Sequence, residues 1–107
     1  MSTVADRLRA ACTRITNPSA WTRGSYARDA DGKPAYASSK PPVCWCAYGA
    51  LYAEGAEDEC PEVRLLRRAA LEVHASVPID VNDDLGHAAV LRMYDRAIEL
   101  ADAGARS

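Results

Sequence analysis

The chain has 107 residues, of which 49 % are hydrophobic and 26 % charged, with a formal net charge of −2. That is one domain's worth of ordinary globular composition, long enough to bury a core without a disulfide or metal staple. It excludes overall disorder, a membrane span of roughly 20 apolar residues, and the basic charge usual for a general nucleic-acid binder.

The chain begins with a predicted helix over residues 4–15. Val4, Leu8, Ala11 and Ile15 recur at helical spacing with Cys12 beside them. Thr3 stands where an N-cap belongs and Asp6 where a capping-box acid belongs, and Asn17-Pro18 ends the run. These charged first residues hold no continuous apolar stretch, which argues against a secretory signal and for a cytoplasmic protein. Residues 16–43 show no helical period. Asp29-Ala30-Asp31-Gly32 reads as a turn between Ser25–Arg28 and Lys33–Ala37, with Tyr26 and Tyr36 on either side, and predicts a small irregular β-hairpin. Asp29, Asp31 and Gly32 also look like the start of a calcium loop. The third spaced carboxylate and the terminal Glu are missing, which favours the turn.

Residues 44–54 predict a second helix with no charged side chain from Val43 to Ala53, the mark of a buried helix. Gly49 and Ala50 give its neighbours room, and Gly55 is a natural stop. Residues 61–75 predict a third helix, with Pro61 at its first position, Val63, Leu66, Ala70 and Val73 as its inward stripe, and Arg64, Arg67, Arg68 and Glu72 facing water. Ile79-Asp80-Val81 suggests a short strand before the turn Asn82-Asp83-Asp84. Residues 87–102 predict the last helix, with Val90, Tyr94, Ala97, Ile98 and Ala101 inward. The expected fold is mainly α, one globular domain over residues 1–107: about four helices around a buried central helix, with the small hairpin, and α+β as the alternative.

Composition adds a hint of origin. Arg outnumbers Lys by 11 to 2 and Ala supplies about a fifth of the chain, which fits a GC-rich coding genome. Cysteines stand at 12, 44, 46 and 60, and in a cytosolic chain they are expected to be reduced.

Three groups of residues invite chemistry. Cys44 and Cys46 stand at the entrance of the second predicted helix, where a thiol can become nucleophilic, and His87 opens the last helix. A Cys44–His87 pair oriented by Asn82 or Asp83 is the enzymatic reading; two small buried thiols and a capping histidine are the structural one. Cys44, Cys46, Cys60, His74 and His87 are the residue types of a zinc site. Their single Cys-x-Cys and scattered positions lack the paired knuckles that such sites show. Arg64, Arg67 and Arg68 surround Leu71 on a charged helix face, which suits a partner surface or an ordinary solvated face. Trp21, Cys44, Asn82, Asp83 and His87 are expected to gather near one another. Asn82 and Asp83 are expected to accept backbone N–H bonds there, and Cys44 and His87 to stay out of hydrogen-bond reach.

One resemblance covers nearly the whole chain. Trp21, the Asp31-Gly32 turn, Cys44-Trp45-Cys46-Ala47-Tyr48-Gly49-Ala50-Leu51, Ile79-Asp80-Val81-Asn82-Asp83, Val90-Leu91 and Asp95-Arg96-Ala97-Ile98 together resemble the domain of unknown function 6197 family of actinobacteria and their phages. The chain departs from that pattern at Val81, where the family carries Trp, and at Leu85-Gly86, where it carries Arg-Thr. The resemblance implies no activity and suggests a phage or mobile-element accessory protein.

With no complete catalytic constellation in view, the sequence favours a non-enzymatic binding protein. Its expected partner is another protein, with a second copy of the chain as an alternative, at a surface formed by Arg64, Arg67, Arg68 and Leu71. No cofactor, membrane or nucleic-acid partner is expected. The alternatives are a small Cys-dependent enzyme using Cys44 and His87, and a structural zinc module.

Overall fold

A computed structural model describes residues 3–106, with side-chain surroundings described through residue 104. The chain is mainly helical with one two-stranded antiparallel sheet. The helices are α1 (Val4–Arg14), α2 (Ala47–Ala53), α3 (Pro61–His74), the single turn α4 (Pro78–Asp80) and α5 (His87–Arg106). The strands are β1 (Ala27–Arg28) and β2 (Cys44–Trp45).

The helices begin where their sequence signals stand. Thr3 and Asp6 exchange the reciprocal bonds of a capping box at α1. Pro61 opens α3, where its missing N–H leaves no orphan donor. Leu8 and Ala11 of α1 with its C-cap Ile15, Val63, Leu66 and Ala70 of α3, and Val90, Met93, Tyr94 and Ala97 of α5 then form one buried core with Ala50 and Leu51 of α2. Alanine recurs at these contacts, so the helices approach closely.

Four expectations change in the structure. Ser25–Arg28 and Lys33–Ala37 do not pair as a hairpin. The turn itself forms: Asp29 N–H donates to Lys33 O at 2.9 Å, and Arg28 bridges Pro34. Pro34 has no N–H to continue a ladder, and Ala35–Ala37 curls into a 3-10 turn. The partner of β1 is instead β2, with Ala27 opposite Trp45 and Arg28 opposite Cys44. For the same reason α2 starts at Ala47, with Cys46 as its N-cap.

Ile79–Val81 is not a strand. Pro78 starts the helical turn α4, which runs into a π turn over Val81–Leu85, closed by Gly86 N–H to Val81 O at 3.1 Å. Gly86 has φ +98°, a backbone that L side chains rarely adopt, so glycine is needed at this junction with α5. On α3, Val73 lies 39 % exposed. The helical period carries the inward row from Ala70 to His74, whose ring meets Ala89 O on α5 at 2.9 Å.

Candidate functional site

One end of the molecule is built from the irregular segments around β1, β2, the start of α2 and the π turn. Its keystone is Asn82, which is 2 % exposed. Asn82 Oδ1 accepts from the Trp21 indole N–H at 2.7 Å and from the Ala47 backbone N–H at 2.9 Å. Its Nδ2 donates to Thr22 O at 3.1 Å and to Asp83 Oδ1 at 3.0 Å. All four bonds that a carboxamide readily makes are therefore formed, to three separate stretches of chain. Asp83 Oδ1 also accepts the Gly24 N–H at 3.2 Å. The π turn is what lets adjacent residues, Asn82 and Asp83, both reach the Trp21–Gly24 segment.

The other anchor is an absence of side chain. A Cβ on Gly49 would overlap the Tyr26 carbonyl oxygen and crowd its carbon. That carbonyl accepts the Cys46 N–H at 3.0 Å, so the backbone of the Tyr26 segment lies directly on α2. Cys46 Sγ accepts the Gly49 N–H at 3.3 Å, taking the capping role that an oxygen usually fills. Burial pushes its thiol pKa up, which keeps the sulfur protonated and poorly nucleophilic.

Between these anchors lies a cleft of about 370 Å³ with an almost wholly apolar lining. Tyr26, Tyr36 and Tyr48 line it together with Pro78, Ile79 and Asp83. Tyr26 is 59 % exposed, Tyr36 90 % and Ile79 52 %, all high for residues of this size. Tyr26 meets Tyr52 edge-on at 5.5 Å, and Tyr52 stacks on Tyr48 at 6.2 Å, so two of the three cleft tyrosines belong to one aromatic group. A second depression lies between α1, α3 and α5, but its Arg9 and Asp102 are paired with each other.

Trp21, Asn82, Asp83 and His87 gather as expected. Trp21 bonds Asn82, Asn82 bonds Asp83, and the Trp21 and His87 rings lie 5.4 Å apart. Cys44 and His87 each have another partner. Cys44 Sγ meets Arg28 O at 3.8 Å, and His87 Nε2 meets Ile15 O at 2.7 Å. Cys60 is the N-cap of α3 and makes no side-chain capping bond. Among the described residues no group of three or more His, Cys, Asp or Glu side chains stands where it could hold a metal ion. The tyrosines and Ile79 were not singled out by sequence as a site. Tyr26 and Tyr36 on either side of one turn were the available signal.

On α3, Leu71 is 66 % exposed among the arginines. Arg67 pairs with Glu59 at 2.8 Å and Arg68 with Glu72 at 3.4 Å, so much of that basic face is neutralised within the chain. Arg67 also lies beside the Tyr48 hydroxyl, which brings the α3 face up to the wall of the cleft.

The sequence profile of a family of unknown function (DUF6197) matches residues 1–100. The chain belongs to this family. Comparison of this DUF6197 member with curated proteins and with solved structures gave no match. The matched span takes in every residue of the cleft and of the Asn82 network.

Proposed function

We propose that this DUF6197 protein is a small cytoplasmic binding or accessory protein that acts by contact with another protein, and that its cleft receives a side chain of that partner. One observation carries the reading. The cleft is apolar and open, and its buried polar atoms on Asn82 and Cys46 are already bonded within the chain. Concave apolar surface with exposed aromatic walls is the usual form of a recognition site. Leu71 and the neighbouring arginines, joined to the cleft wall through Tyr48 and Arg67, extend the same surface along α3. A Cys-dependent enzyme asks for a thiol–imidazole bond, whereas Cys44 and His87 bond Arg28 O and Ile15 O. The Arg-over-Lys bias supports an actinobacterial or phage source.

The test is site-specific photocrosslinking in the native host, with a photoreactive phenylalanine at position 36, 79 or 99. Glu99 is exposed on α5 and provides the control. The same adduct from positions 36 and 79, and none from 99, is the expected result. No adduct from 36 and 79, or equal adducts from all three, would overturn the reading.

A further inference from the structure

We infer that the cleft selects an alkylammonium group, the side chain of a lysine on the partner protein. The inference rests on the reading of the cleft as a protein-binding site, and it follows from the state of Asp83. This residue lines the cleft. Its Oδ1 is fixed by the Gly24 and Asn82 N–H groups. Its Oδ2 makes no hydrogen bond, and the residue joins no ion pair, among the described residues. A fixed carboxylate with one uncommitted oxygen thus lines an otherwise apolar space.

The nearby cations are engaged elsewhere. Arg23 lies over the Trp21 ring at 5.0 Å, and Arg28 donates to Thr22 Oγ1, Gly32 O and Arg23 O. A neutral side chain filling the cleft would strip water from Asp83 and give nothing back, and an acidic one would be repelled. A lysine answers both surfaces: its four-carbon stem lies on Pro78, Ile79 and the tyrosines, and its ammonium meets the carboxylate. Tyrosine faces add attraction for the same charge. Arginine fits less well, because its planar fork calls for two carboxylate oxygens and Asp83 offers one.

The experiment titrates the full chain by NMR, following the Trp21 indole and the Gly24 and Ala47 amides. The probes are acetyl-Gly-Lys-Gly-amide, the same peptide with norleucine in place of lysine, and pentylammonium. The lysine peptide is expected to bind roughly five- to tenfold more tightly than the norleucine peptide. Asp83→Asn, which keeps the Oδ1 acceptor, should remove that margin. In the unaltered protein, 0.5 M salt should narrow the margin without any substitution. Equal binding of the two peptides would overturn the ammonium inference and leave the binding cleft standing. Pentylammonium binding as well as the lysine peptide would overturn the partner-protein lysine in favour of a free amine. Failure of all three probes would overturn the inference together with the reading of the cleft.

Discussion

The helical end formed by α1, α3 and α5 and the irregular end formed by residues 16–46 and 76–86 are held together by different physics. At the helical end, many aliphatic and alanine side chains share the stabilisation, each by burial, and no single one sets the geometry. At the irregular end there is little apolar area to share. Shape there depends on a few directional contacts: Asn82 with its four bonds, Gly49 under Tyr26 O, Asp29 within its turn and Gly86 at positive φ. The cleft lies at that second end. A binding surface built on irregular backbone needs single residues that fix it, and those residues tolerate substitution poorly.

The sharpest break of this contrast is Gly49→Leu. Overpacking usually costs about 1–3 kcal/mol, but here the obstacle is backbone and cannot rotate away. Loss of the folded state, seen as a missing cooperative melt, is expected, and even Gly49→Ala should lower the midpoint strongly. An unchanged midpoint in Gly49→Leu would show that the Tyr26 segment is not anchored on α2.

Asn82→Ala comes next. It leaves the half-buried Trp21 indole N–H and the buried Ala47 N–H without acceptors and Thr22 O without a donor, at about 1–3 kcal/mol each where water cannot replace them. A fall in melting midpoint on the order of 10–20 °C is expected for a chain of this size. Calorimetry checks it, and a fall below a few degrees would mean that the network is dispensable.

Asp29 gives a smaller, pH-dependent effect. The Ser38 hydroxyl, with the Lys33 and Asp31 amides, holds its carboxyl below the usual carboxylate range. Its folded pKa is thus lower than its unfolded one. The stabilisation is present above the unfolded value of about 3.9 and is lost as pH falls through the folded value. Urea unfolding of the parent and Asp29→Asn should therefore show a gap at pH 7 that narrows as the pH falls below the unfolded value. A gap independent of pH would contradict the assignment.

The smallest effect on stability is expected on α3. Arg67→Glu with Leu71→Glu alters exposed side chains and breaks an exposed ion pair, so stability should change by less than about 1 kcal/mol. The double variant is nonetheless expected to lose its partner in pulldown. Unchanged recovery would place the interface away from α3.

The same division decided what could be read in advance. Helices α1, α3 and α5 were legible because burial repeats along the sequence at 3.6 residues, and the Thr3 and Pro61 signals mark their starts. The meeting of Trp21, Asn82, Asp83 and His87 was legible from polar residues beside helix starts. The β1–β2 pairing was not, because the Asp29–Gly32 turn points to a local partner and only the missing N–H of Pro34 diverts the chain to Cys44. Ile79 alternates with Val81 as in a strand, and the π turn that follows α4 leaves no periodic trace. Among the cleft tyrosines, Tyr26 and Tyr36 flank one turn, but Tyr48 comes from α2 and nothing local announces that it converges with them.

The central claim is that directional polar contacts, centred on Asn82, hold the irregular end and its cleft in shape. Native-state hydrogen exchange of the parent and Asn82→Ala tests it most directly. The account predicts that the Ala47 amide and the Trp21 indole lose more protection in the variant than the Leu66 and Val90 amides do. Equal loss of protection at both ends, or none at Ala47, would contradict it.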